Sequence, residues 1–144
     1  MPPKLNITEF SAEYVMDIPE IDEQHKVFLS MLGEIDAASS DLYKPMDDDE
    51  VDNIVDVLDK LRDYALLHFR TEESFMAEID YPGLPLQKKA HNRFITDVIR
   101  LEAELLNGSS MPAITIRNFI HEWYHAHIIE MDKPFGAFHK ENSE

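Results

Sequence analysis

No cysteine occurs in the chain, so disulfides, thiolate metal sites and cysteine nucleophiles are all excluded. Any metal would have to be held by nitrogen and oxygen donors. Basic residues are scarce as well: 13 Lys and Arg stand against 29 Asp and Glu, a net charge of -16. A field of that sign repels phosphate backbones and anionic lipid surfaces, and nucleic acid is not an expected partner. No stretch approaches the ~20 apolar residues that a membrane span requires. Met1 to Phe10 lacks the basic patch and apolar run of a secretory leader, so a soluble cytoplasmic protein is the expectation. Glycine is rare, with four in 144 residues, and the long segments between breakers favour helix over turn-rich β structure.

What the chain does have is a hydrophobic fraction of 44%, enough for one folded core in a chain of ordinary single-domain length. Its apolar residues recur at steps of three and four, the helical period. The first stripe is Ile21, His25, Phe28, Leu32, Ile35, and the second is Ile54, Leu58, Leu61, Ala65, His68, Glu72, Phe75, Ile79. The third is Leu84, Gln87, His91, Phe94, Val98, Leu101, Leu105, and the fourth is Ile116, Ile120, Trp123, His127. Lys44-Pro45, Tyr81-Pro82-Gly83 and Asn107-Gly108-Ser109-Ser110 with Pro112 punctuate them. The pattern predicts one all-α domain over 1–144, with an arm at 1–19 and helices at roughly 20–42, 48–79, 85–107 and 112–132. Short connections make an up-down-up-down antiparallel four-helix bundle, with Phe10 and Tyr14 of the arm free to pack on it.

Polar residues interrupt these stripes where only apolar ones should sit. His25, His68, Glu72, Gln87, His91 and His127 fall on inner faces of four different helices. A buried carboxylate costs several kcal/mol (~3 or more) unless it is paired, hydrogen-bonded or metal-bound. One histidine on an apolar face, such as His25, is more often a hydrogen-bonded core residue than a ligand. Histidines on all four stripes are hard to explain that way, whereas a metal centre explains them together. Imidazole and carboxylate suit iron, manganese and zinc, and a cation removes the penalty on Glu72. His68 and Glu72, and likewise Gln87 and His91, are spaced i and i+4 on one helix face.

Other polar features have plainer readings. Glu73 and Arg70 flank the second stripe and read as solvated. His121 and His125 form an i, i+4 pair directed away from the centre, exposed or behind the ligands. The run Asp47 to Glu50 fails the calcium-loop spacing and reads as capping at a helix start. Met31, Met76 and Met131 read as core fillers.

Together the segments Ile21-Asp-Glu-Gln-His25, His68-Phe-Arg-Thr-Glu-Glu73, Tyr81-Pro82, His91-Asn-Arg-Phe94 and Trp123-Tyr-His-Ala-His-Ile-Ile-Glu-Met-Asp132 resemble the hemerythrins, and more closely the bacterial hemerythrin-like domains. The resemblance runs from about Phe10 to Phe138. It implies two iron ions joined by an oxo or hydroxo bridge. One would be held by His25 and His68, the other by His91 and His127, and both would be bridged by Glu72 and Asp132. Periodicity alone does not select Asp132, since a step of five from His127 leaves the stripe; Pro134 beyond it suggests that the helix ends or bends there.

One position departs from the family. Gln87 stands where a third-helix histidine would ligate, and an amide oxygen binds iron more weakly than imidazole. Gln87 could ligate through oxygen, yield its place to water, or leave that metal weakly held. The activity implied is reversible binding of dioxygen, or of another small diatomic molecule, at the His25/His68 iron, for carriage, storage or sensing rather than catalysis. Apolar residues such as Phe28, Phe75, Phe94 and Ile128 would shield the pocket. The alternative is a di-iron oxidase or peroxidase, or a nitric oxide-binding protein, using an extra open position at the iron near Gln87. The sequence leaves the oligomeric state open.

Overall fold

The computed structural model of the protein describes residues 10–109 and 111–142. A short 3₁₀ turn, Ala12–Tyr14, precedes α1 (Pro19–Ala38), α2 (Asp48–Glu78), α3 (Leu84–Leu106) and α4 (Ala113–His127). A π-helical turn, Ile128–Asp132, then leads directly into α5 (Lys133–Asn142). The architecture is an antiparallel four-helix bundle in which α1 packs on α2 and α4, and α2 on α3. No helix among the described residues is long and apolar enough to cross a membrane.

Local chemistry sets the helix ends. The Asp47 side chain accepts a hydrogen bond from the Glu50 N–H at 2.8 Å, so the acidic run caps α2 and meets the positive end of its dipole. Pro19 opens α1 in the first turn, where no N–H is needed. The helix stops at Ala38, short of the expected 42. There the Ser39 hydroxyl and the Ser40 N–H both turn to Glu50 Oε2, and the Leu42 carbonyl accepts from Ile114 N, so these residues tie helices together instead of continuing one. Gly83 leaves room for the Tyr81 ring between α2 and α3: a Cβ there would lie 2.6 Å from it, and the ring would have to shift. The last helix also departs from expectation, since the chain neither ends nor breaks after Asp132. Pro134 follows the π turn directly, and although its ring removes one helical N–H, the helix runs on to Asn142.

The stripes build two apolar clusters. The larger gathers Phe28, Leu32, Leu58, Leu61, Phe94, Val98, Ile116 and Ile120, with Tyr14 of the arm packed on it. The smaller gathers Met16, Ile18, Ile21, Met76 and Phe135. On every helix the polar residues of the stripe lie between these clusters. His25 falls between Ile21 and Phe28, Glu72 between Ala65 and Met76, His91 between Leu84 and Phe94, and Asp132 between Ile128 and Phe135. The bundle therefore carries a polar layer sealed above and below by hydrocarbon. Leu101, expected inside, is only half-buried, and Glu102 takes the inner place because Arg62 pairs with both of its carboxylate oxygens at 3.0 Å.

Candidate metal centre

His25, His68, Glu72, Gln87, His91, His127 and Asp132 are all buried, none more than 6% exposed. α1 contributes His25, α2 contributes His68 and Glu72, and α3 contributes Gln87 and His91. His127 closes α4, and Asp132 closes the π-helical turn. That turn is what brings the last two together. Five residues at 3.6 per turn advance about 500°, which would put Asp132 on another face from His127. The i→i+5 pattern of the π turn instead stacks residues five apart, and His127 Nε2 lies 3.2 Å from Asp132 Oδ1.

The donors form two overlapping groups. His25, His68, Glu72 and Asp132 make one, and His91, His127, Glu72 and Asp132 the other. Within each group the ligand atoms lie within 4.8 Å of one another. The two carboxylates are shared. Glu72 Oε1 is 2.6 Å from His68 Nε2 and 3.1 Å from His25 Nε2, while its Oε2 is 3.3 Å from His91 Nε2. Asp132 Oδ2 is 3.4 Å from His25 Nε2. Each carboxylate thus spans both groups with its two oxygens, the arrangement a bridging ligand needs.

Outer residues fix which ring nitrogen faces inward. His68 Nδ1 donates to Gln24 Oε1 at 2.8 Å, an oxygen that can only accept. His91 Nδ1 likewise meets Glu73 Oε2 at 2.8 Å. Both rings therefore direct Nε2 at the centre, as in carboxylate–histidine–metal arrangements. Aromatic faces hold the planes: Phe69 stacks on His91 at 3.9 Å and Trp123 on His127 at 4.5 Å. The Tyr124 hydroxyl donates to the His25 carbonyl at 2.8 Å and ties α4 to α1.

The charges respond to this crowding. Burial works against the His25 imidazolium, but the neighbouring Asp132 and Glu72 carboxylates outweigh it and hold the group up at about 9. Burial likewise opposes a raised His91, and the neighbouring Glu72 carboxylate prevails. For Glu72, burial favours the neutral acid, yet the charge of His68 and the surrounding imidazoles of His25, His68 and His91 keep it well below the usual carboxylate range.

Hydrogen bonding within the cluster does not satisfy it. Glu72 Oε2, Asp132 Oδ2, His25 Nδ1 and Gln87 Oε1 are buried without a hydrogen-bond partner. His91 Nε2 and His127 Nε2 face each other at 3.1 Å although His91 already donates through Nδ1. Converging lone pairs and unpaired carboxylate oxygens at these separations suit cations with ligands at about 2.0–2.2 Å. The residues present fit a metal pair.

Comparison with known proteins agrees with this geometry. The family model described as "Hemerythrin HHE cation binding domain" matches residues 16–137. This chain belongs to the hemerythrin family. Its relatives include the bacteriohemerythrin of Clostridium acetobutylicum, 26% identical over 125 residues, 85% of this chain and 94% of that protein. The bacteriohemerythrin of Methylococcus capsulatus is 25% identical over 130 residues, covering 90% and 94%. A crystal structure of wild-type hemerythrin superposes with a TM-score of 0.74 at 25% identity, covering 90% of this chain and 94% of that one.

Several residues had a role the sequence pattern did not show. Glu73 is not merely solvated: one step off the stripe puts it on the shoulder facing α3, where it holds His91. Gln24 and Phe69 also lie beside a stripe, and their only sequence signal is adjacency to His25 and His68. Phe75 belongs to the smaller cluster, against His139, rather than to the pocket wall. His125, 45% exposed, is bonded to the Tyr14 hydroxyl at 2.8 Å and takes no part in either donor group.

Proposed function

We propose that this chain is a non-heme di-iron protein that reversibly binds dioxygen. The observation that carries the reading is the pair of buried donor groups sharing Glu72 and Asp132 beside an apolar pocket. His25 and His68 would hold one iron, His91 and His127 the other, and the two carboxylates would bridge. Bound there, a reduced iron pair would supply the two electrons that dioxygen binding requires.

The protein supplies the surroundings. The pocket lies between the donors His25, His68, His127 and Asp132 and an apolar wall of Phe28, Phe69, Trp123, Tyr124 and Ile128, and leaves room for about one small molecule. Such a wall favours a neutral diatomic ligand over water and anions and limits loss of partly reduced oxygen. The Nδ1 contacts of His68 and His91 hold the rings in the ligating tautomer, and Glu72 and Asp132 offset the charge of the metals. Oxygen or nitric oxide would suit the same wall.

A second reading, a di-iron oxidase or peroxidase, is favoured by one observation: Gln87 turns its amide N–H to Asp132 Oδ1 at 3.0 Å and leaves its oxygen unpaired. The test is anaerobic loading with ferrous iron, elemental analysis, and optical spectra during oxygen titration. Two irons per chain and an adduct that disappears when oxygen is removed support the carrier. Sustained consumption of oxygen or peroxide with a reductant supports the enzyme, and failure to retain iron refutes both.

A further inference from the structure

Position 87 is where the chain departs from its family's ligand pattern, and a cavity of about 180 Å³ lies against it. Its walls are Tyr81, Gly83, Leu86, Gln87, Glu130 and Met131, none of which lines the apolar pocket beside His25 and His68. Gln87 forms the partition between this cavity and the polar layer. Its side chain is 1% exposed, Nε2 donates to Asp132 Oδ1 at 3.0 Å, and Oε1 is buried and accepts nothing. Asp132 dictates that orientation, because the reverse would set two acceptor oxygens against each other. The unpaired acceptor therefore remains, and it asks for a donor.

We propose that this cavity is a second ligand site, admitting a small neutral hydroxylic molecule past the Gln87 side chain to the metal held by His91 and His127, with Gln87 Oε1 accepting its hydrogen bond as it passes. The inference rests on the di-metal reading above. An imidazole at position 87 would take the coordination position; the amide, held toward Asp132 by a single hydrogen bond, does not. The chemistry of the surroundings selects the ligand. Glu130 on the wall, with Asp132 and Glu72 behind the partition and a net charge of -16, disfavours anions. Tyr81, Gln87 and Glu130 among the lining residues favour a molecule that hydrogen-bonds over an apolar diatomic, and the volume accommodates several waters. The centre thus has a dry side at His25/His68 and a wet side at Gln87.

Water is the probe. The protein is loaded with manganese(II), which carboxylate and imidazole donors accept, metal content is measured, and water-proton relaxation is recorded per bound ion. Gln87→His should lose part of the wild-type relaxation at equal metal content, because the ring displaces the water. Leu86→Trp, at a position 65% exposed and so harmless to folding, should also lower it by narrowing the opening. Should Gln87→His fail to fold, Leu86→Trp decides. Full metal loading with relaxation unchanged in the folded variants overturns the proposal and leaves the di-metal reading standing. A wild-type chain that retains neither manganese nor iron removes both.

Discussion

Replacing His68 by alanine tests the centre most directly. The ring is 5% exposed, its Nε2 lies 2.6 Å from Glu72 Oε1, and its Nδ1 donates to Gln24. Two losses are expected, and they separate. In the metal-free protein the substitution strands Gln24 Oε1 and removes one partner of the buried Glu72, a cost of about 1–3 kcal/mol. In the loaded protein the metal's contribution is lost as well, about 4 kcal/mol where free metal exceeds its Kd 1,000-fold. With an unfolding entropy of about 2.1 cal/mol/K per residue, 144 residues give about 0.3 kcal/mol/K, so each kcal/mol moves Tm by about 3 °C. Chelated wild type and chelated His68→Ala should thus melt about 3–10 °C apart, and the loaded proteins a further ~13 °C apart. The assay is thermal unfolding by circular dichroism with and without a strong chelator, beside elemental analysis. His125→Ala is the control: two residues from a proposed ligand but 45% exposed, it should keep its metal and its chelator-sensitive melting. A His68→Ala protein that retains two metals per chain and the full chelator-induced drop would refute the assignment.

Three further outcomes are expected. Gln87→His supplies an imidazole where an amide now faces Asp132; it should raise iron retention on dialysis against chelator, and unchanged stoichiometry and spectrum would count against the placement of that residue. Gly83→Ala drives a methyl to within 2.6 Å of the Tyr81 ring, which must shift, and should lower stability by about 1–3 kcal/mol in urea unfolding, whereas a neutral result would show that the turn yields freely. Burial, with the neighbouring Asp59 carboxylate, pushes Glu102 up to about 7 against the pull of Arg62. The folded state therefore binds the proton more tightly than the unfolded one. Its contribution to stability is full below the ordinary carboxylate range and is lost as pH rises to about 7. Glu102→Gln should flatten the stability profile between those limits, and an unaltered slope would contradict the shift.

The two i, i+4 pairs of the candidate site were legible because a carboxylate or imidazole on an apolar stripe is costly enough to require a reason. Glu72 and His91 announce themselves by being the wrong polarity in the right register. Gln24 and Glu73 do not, because each lies one step off its stripe, and whether such a shoulder faces solvent or a neighbouring ring depends on how far the next helix leans over it. Resemblance, not periodicity, selected Asp132.

The sequence by itself determined the helical class, the four stripes and the polar level on each, since these follow from spacing and the cost of burying charge. It also determined the breaks, through proline, glycine and the Asp47 cap. Only the tertiary structure decided that α1 gives way at Ser39, because the Glu50 carboxylate that draws the chain aside belongs to another helix. It alone decided that the last helix widens into a π turn, which rotates Asp132 under His127 so that one carboxylate can serve both groups of donors. Such rotations depend on how helices meet, and no stretch of chain encodes them alone.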